Sequence, residues 1–401
     1  MNILNQKLGI LGEGITAKAV YDTLTRLNIP IYPHDQATVI ITSPGIPPAK
    51  FPQVQAIFIS EIDLAYLLFK HFDILPTIIA ITGTNGKTTV TSWISHILQA
   101  PAFGNIGTPL ISAVIPGHPH QVVVVEVSSY QIEQSHYFHP NISVILNITP
   151  DHLDRHGTMQ EYAMHKARLI ENTTKNDYII YLETDPYIPS VIAGYPAQKI
   201  PYSSTHPLYQ KTQSIMLKGN HNHDNALATY LAVQTYGLPD DIITQRLNTF
   251  TAVEHRIEPI PNTLGIGIYN DSKATNPDST IVALNAFSEP VHLILCGYDK
   301  QLPLEPLLDP IFAHAKSVIL FGEIKHRMQV VLKKDPRSSA LSIYTCDTLN
   351  EAVKKSLQLA KKSEVILFSP SCSSFDQFQN FEDRGQKFKQ EVQIQLKSMS
   401  S

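Results

Sequence analysis

Gly83, Thr84, Asn85, Gly86, Lys87, Thr88 and Thr89 run consecutively, and their types suit one task, holding a polyphosphate. The two glycines let the backbone turn sharply and aim its N–H groups at an anion. The lysine can reach the β- and γ-phosphates, and the Thr88 hydroxyl can hold a magnesium ion. An apolar run at 78–81 precedes the loop and an amphipathic run at 90–98 follows it, so the order reads strand, loop, helix. The following helix adds the positive end of its dipole to the same anion. The usual form of such a loop opens on a glycine where this chain has Ile81. Even so, the pattern predicts binding of a nucleoside triphosphate.

Other ionisable groups fall at the ends of apolar runs. Glu126 closes the run at 122–125. A buried carboxylate needs compensation, and a magnesium ion shared with phosphate oxygens would supply it. His152 sits between Asp151 and Asp154, where it fits a second metal ion or a catalytic role. Near the start, residues 12–17 read GEGITA, with Asp35 at the distance that suits a ribose. Taken alone, that pair fits a dinucleotide cofactor as well as a uridine diphosphate.

The elements that must position these groups alternate strand and helix. A strand at 7–11 leads into a helix at 15–27, and short apolar runs at 29–32, 39–42 and 56–59 extend the pattern to about residue 72. A second block carries near-continuous apolar runs at 122–127 and 144–148, the signature of parallel strands buried on both faces. Helices are expected there near 159–172 and 222–236. A third block, opening near residue 253 with Pro259 and Pro261, repeats strand and helix around 292–296, 317–321 and 365–368. With 401 residues the chain exceeds one core. We therefore expect three α/β domains, at 1–72, 73–252 and 253–401. In open parallel sheets ligands gather at the carboxyl ends of strands, and polar or glycine-rich segments follow nearly every strand here.

Composition narrows the class. A net charge of −4 gives no general attraction to nucleic acid. Three cysteines are too few for a disulfide framework, which fits a reducing cytoplasm. No apolar run reaches the ~20 residues that span a bilayer, so no membrane insertion is expected.

Several motifs in order resemble one family. They are AITGTNGKTT at 80–89, GNIG at 104–107, VEVSSYQIE at 125–133, NITPDHLDRH at 147–156, LKGNHNHDNALA at 217–228, His255 with Arg256, and NDSKATN at 270–276. Together they are similar to the ATP-dependent Mur ligases of peptidoglycan synthesis. The resemblance implies a Rossmann-like first domain for a UDP-sugar, a central P-loop ATPase-like domain, and a Rossmann-like third domain for an amino acid. It implies phosphate and magnesium contacts at Lys87, Thr88 and Glu126, and a second magnesium at His152. Asn222, Asn225 and His255 would meet adenine, Arg256 phosphate charge, and Asp271 the ribose. Lys166 matches the family lysine that becomes a carbamate and a metal ligand, so Lys87, His152 and Lys166 are the catalytic candidates. Ile15, Thr16 and Asp35 become candidates for the uridine diphosphate, and Asn105 for the muramoyl-peptide. The segments at 271–275 and 369–381 resemble the D-glutamate-adding members. That implies contacts to this amino acid at Lys273, Thr275, Lys300, Ser374 and Phe381, with UDP-N-acetylmuramoyl-L-alanine as the other substrate. A monomer is expected. A sibling ligase, an oxidoreductase using residues 12–17, and a non-catalytic P-loop binding protein are the rival readings.

Overall fold

The computed structural model describes residues 1–151, 157–215, 217, 219, 221–251 and 253–400. Three separate sheets organise them. The first is parallel, in the order β1 (Leu8–Leu11), β2 (Val39–Thr42), β3 (Ile57–Ser60). The expected strand at 29–32 is reduced to one bridge between Leu8 and Ile31. Pro30 and Pro33 explain this, because proline has no N–H to donate to a ladder.

The second sheet holds β4 (Thr77–Thr82), β5 (Ala102–Gly104), β6 (Val122–Glu126), β7 (Ile142–Ile145), β8 (Tyr178–Leu182) and β9 (Gln198–Tyr202). Its order is 5-6-4-7-8-9, and every pairing is parallel. The chain leaves β4 towards β5 on one side and reaches β7 on the other. The order therefore reverses at β4, and the crevice at such a reversal is where ligands bind. The phosphate loop follows directly.

The third sheet holds β10 (Glu258–Pro259), β11 (Gly267–Asn270), β12 (Val291–Cys296), β13 (Ala315–Leu320), β14 (Ser342–Thr345) and β15 (Val365–Ser371) in the order 10-11-15-12-13-14. Only β10 runs antiparallel. The central strands β12 and β15 are buried along their whole length, and most of each is the apolar run, 293–296 and 365–368, that two-sided burial calls for.

Contacts divide the chain into two units, Met1–Ile215 with His223–Phe250, and Met216–Asn222 with Thr251–Ser401. In the first unit the first and second sheets share one apolar core. It joins Leu8, Val39 and Ile59 to Ile78, Val123 and Phe138 through the buried helix Glu61–His71. The second unit has apolar clusters on both faces of its sheet. The α/β class with parallel sheets is as expected.

Candidate functional site

In the first unit the loop after β4 is shaped for an anion. Gly83 and Gly86 adopt φ of +150° and +86°, and a Cβ at Gly86 would lie 2.6 Å from Asn225 Oδ1. Gly86 also caps the helix Lys87–Leu98 without any side-chain hydrogen bond. The first-turn N–H groups of that helix are therefore not consumed by a capping side chain.

The loop is braced from behind by the segment after β7. Asn147 Oδ1 accepts from Asn85 N at 2.8 Å, and its Nδ2 donates to Asn85 O at 3.1 Å. Thr84 Oγ1 donates to Thr149 O at 3.2 Å and accepts from Thr149 N at 3.0 Å. Lys87 folds back over the loop, its Nζ donating to the carbonyls of Gly83 and Thr84 at 2.8 Å each.

Two further groups converge on this edge. Glu126 is 1% exposed at the end of β6, beside Ile81 of β4. Its Oε1 accepts from Asn105 Nδ2 at 2.9 Å, and its carbonyl accepts from Asn105 N at 2.8 Å. Gly104 permits that approach, since a Cβ there would stand 2.2 Å from the Glu126 carbonyl oxygen. The second group, Lys166, projects from the helix Met159–Ala167, which Thr158 and Glu161 start with a reciprocal capping box. That helix ends five residues before the expected 172 and tightens into the short turn Arg168–Ile170. The Lys166 ammonium is buried, donates to Gly83 O at 3.0 Å and lies 4.5 Å from the centre of the Tyr162 ring. Burial, with the charge of Lys87 second, holds its pKa well below the usual lysine range.

Thr88 is buried in the first helical turn, within the loop that Lys87 covers. A hydroxyl and a carboxylate are the oxygen donors a magnesium ion takes, so the donor chemistry fits. His152 lies outside the described residues.

Near the first sheet a groove of about 530 Å³ is lined by Ile10, Gly12, Lys18, Tyr21, Tyr32 and His34, among others. Ile15 instead lines a neighbouring groove of about 390 Å³ with Lys18 and Arg26, and Asp35 is exposed in the turn beside His34. Thr16 is half-buried in the first helical turn and lines neither groove. None of Ile15, Thr16 and Asp35 lines the larger groove, and the spacing of its Tyr21, Tyr32 and His34 matches no short motif.

In the second unit the groups gather around the end of β11. Asp271 accepts from Ser369 Oγ at 2.7 Å and from Ile257 N at 3.2 Å. Burial pushes its carboxyl up to about 7, against the pull of Ser369 and Arg256. His255 is buried at φ +65°, with Asn270 Nδ2 2.9 Å from its Nδ1. The Arg256 Nε is buried without a hydrogen-bond partner among the described residues. The Lys273 ammonium lies 5.3 Å from the centre of the Phe381 ring, bringing those two candidates together. Thr275 is half-buried, Ser374 buried and Lys300 exposed. Asn222, of this unit, and Asn225, of the first, are buried near the start of the helix His221–Tyr236, three positions apart and so on one face of it.

Arg384 was not singled out in the sequence. It is fully buried and donates to Ser272 Oγ, Ser272 O and Cys372 O at 3.1, 2.8 and 3.0 Å, joining the loops after β11 and β15. Asn147 was missed as well, although its place directly after a parallel strand was the available signal.

Known proteins decide the family. The Mur ligase middle domain matches residues 81–213, and the Mur ligase glutamate ligase domain matches 255–372. A UDP-N-acetylmuramoylalanine–D-glutamate ligase of Caldicellulosiruptor bescii is 37% identical, over 94% of this chain and 88% of its own length. The chain belongs to the Mur ligase family. A second relative of the same name, from Koribacter versatilis, is 37% identical over 88% of this chain and 83% of its own length. Among solved Mur ligases, MurF of Thermotoga maritima in complex with ADP covers 98% of this chain and 100% of its own, with a TM-score of 0.64 at 16% identity. MurF from Acinetobacter baumannii gives 0.65 at the same identity, over 96% of this chain and 90% of its own. These likenesses confirm the Mur ligase fold.

Proposed function

We propose that this Mur ligase joins D-glutamate to UDP-N-acetylmuramoyl-L-alanine in an ATP-dependent step of peptidoglycan precursor synthesis. The observation that carries the reading is the phosphate loop at the β4 reversal, with Lys87, Thr88 and Glu126 on one edge. The D-glutamate specificity rests on the relatives of that name.

A free carboxylate is a poor acylating group at neutral pH, so ATP must supply a leaving group. The L-alanyl carboxylate attacks the γ-phosphorus, giving an acyl phosphate and ADP. The D-glutamate amine then adds to the activated carbonyl, and the tetrahedral intermediate expels phosphate. Charge stabilisation is the usual main contribution in such transfers. Lys87 exchanges two neutral carbonyl acceptors for phosphate oxygens, where a charge-assisted bond is stronger. Arg256, whose buried Nε has no hydrogen-bond partner among the described residues, neutralises further phosphate charge. Asp271 accepts from the ribose, and Asn222, Asn225 and His255 take adenine. Asn105, held by Glu126, orients the muramoyl-peptide.

Thr88 and Glu126 would hold a magnesium ion, which neutralises phosphate charge when bound. Lys166, as a carbamate, would serve a second ion together with His152. The uridine diphosphate is assigned to Ile15, Thr16 and Asp35 with the adjoining groove. Lys273, Thr275, Lys300, Ser374 and Phe381 are assigned to D-glutamate. Domains at 1–72, 73–252 and 253–401 then correspond to UDP-sugar, ATP and amino acid. The enzyme is assigned to the cytoplasm, a reading that three free cysteines support, and is read as a monomer. Among the described residues no helix is long and apolar enough to cross a membrane.

Phosphate release with ATP, magnesium and UDP-N-acetylmuramoyl-L-alanine tests the proposal across D-glutamate, L-glutamate, L-lysine and meso-diaminopimelate. Release with D-glutamate alone is expected. Release with another amino acid would refute the specificity, and release with none would refute the carboxylate substrate.

A further inference from the structure

We infer that the corner between β13 and the helix Lys325–Lys334, at residues 322–327, is a positioning element that sets the spacing of Lys300 and Ser374. The inference rests on the reading of those two residues as contacts for the amino-acid substrate.

The corner reaches both loops. Arg327 grips Asp299 with a two-pronged contact, Nε to Oδ2 at 2.8 Å and Nη2 to Oδ1 at 3.0 Å. Its Nη2 also donates to Leu302 O at 2.6 Å, on the far side of Lys300. Asp299 Oδ1 accepts from Gln301 N at 2.9 Å. The backbone that carries Lys300 is thus fixed on both flanks while its side chain stays exposed. A planar guanidinium fork on a carboxylate fixes orientation as well as distance.

The same corner holds the loop of Ser374. Glu323 N donates to Asp376 Oδ2 at 3.2 Å. Gly322, at φ +72°, allows that approach, because a Cβ there would stand 2.4 Å from the same oxygen. Ile324 N donates to Gly297 O at 3.1 Å, and Tyr298 N donates to Ser373 O at 2.9 Å, so the two loops are also tied to each other. A Cβ at Gly297 would lie 2.3 Å from the Ser373 carbonyl oxygen. The corner, β12 and β15 ends therefore form one braced frame.

D-glutamate carries two carboxylates at a limited separation, and a cation and a hydroxyl can read that separation only if their own is fixed. A misplacement of about 1 Å is enough to weaken such a constellation strongly. Arg327 and Asp376 act on it through Asp299 and through the backbone of the Ser374 loop.

The test measures KM for D-glutamate, KM for ATP and kcat in the wild type, Arg327→Ala, Arg327→Lys, Asp376→Ala and Lys300→Ala. Arg327→Ala and Asp376→Ala should each raise KM for D-glutamate about tenfold, with kcat and KM for ATP within about twofold. Arg327→Lys, which keeps the charge and loses the fork, should fall between and remains informative if the alanine variant folds poorly. An unchanged KM for D-glutamate in Arg327→Ala and Asp376→Ala, with a raised one in Lys300→Ala, overturns the brace and keeps Lys300. A raised KM in the brace variants with none in Lys300→Ala removes Lys300 from the amino-acid site and overturns the inference that its spacing from Ser374 is what the brace sets. Equal losses for both substrates, or a fall in kcat alone, overturn the inference as general destabilisation.

Discussion

Glu61 offers the sharpest physical test of the first unit. It opens the helix Glu61–His71 directly after β3 and is 2% exposed. Its Oε1 accepts from Ile111 N at 2.5 Å, while Oε2 is buried with no hydrogen-bond partner among the described residues. Burial raises its carboxyl from 4.5 to about 7, with the Asp63 charge adding and the Ile111 bond opposing. A raised carboxyl pKa means that the folded state holds the proton more tightly than the unfolded chain. The resulting stability is fully present below 4.5 and is lost as pH rises through about 7. That difference amounts to about 3 kcal/mol, of which about 2 kcal/mol is lost between about pH 5.5 and pH 8.5. Glu61→Gln keeps an oxygen for the Ile111 N–H and cannot ionise. Relative to wild type it should therefore gain about 2 kcal/mol of stability across that interval. The reporter is built in: the single tryptophan, Trp93, is buried in the same unit, stacked on Phe250 at 4.9 Å. Urea unfolding followed by Trp93 fluorescence at the two pH values gives the difference. Parallel pH profiles for the two proteins would refute the account of Glu61 as a strained buried acid.

Two substitutions probe the phosphate loop. Gly86→Ala forces an L-residue into left-handed backbone at about 1–2 kcal/mol, and its Cβ would crowd Asn225 Oδ1 at 2.6 Å. KM for ATP should rise by tenfold or so, and an unchanged value would show that the loop tolerates a side chain there. Lys166→Ala should lower kcat by about a hundredfold or more, and added bicarbonate should not restore it. Wild-type turnover in the alanine variant would remove Lys166 from the mechanism.

What was legible in the sequence follows from the range of the contacts. The phosphate loop is local: its glycines, lysine and flanking strand and helix lie within a few positions, so their types declare the structure. The buried runs of β4, β6, β12 and β15 were readable for a similar reason, since strands covered on both faces need no alternation. Asn147 braces Asn85 and Arg384 braces Ser272 from 62 and 112 positions away. No window of sequence contains both members of either pair. The weak edge near 29–32 looked like a strand because apolar content outweighed its two prolines. The groove beside the first sheet was harder still, being lined by side chains from a strand, a helix and a turn.

Lys166 shows where a legible signal and its meaning part company. The helix Met159–Ala167 buries Tyr162, Ala163, Lys166 and Ala167, so the lysine lies on the stripe that should face the core. A charged amine there needs a reason, and the geometry supplies one. Lys166 and Lys87 both donate to the carbonyl of Gly83, which sets two amines at one acceptor and disfavours a charge on both. Carbamylation of Lys166 would put an anion beside Lys87, an attraction in place of that conflict. The same anion would be an oxygen donor facing the loop that receives phosphate. Burial and the neighbouring Lys87 favour the neutral amine, the form that this chemistry requires. The arrangement that looks least stable in the helix is therefore the one that the proposed reaction uses.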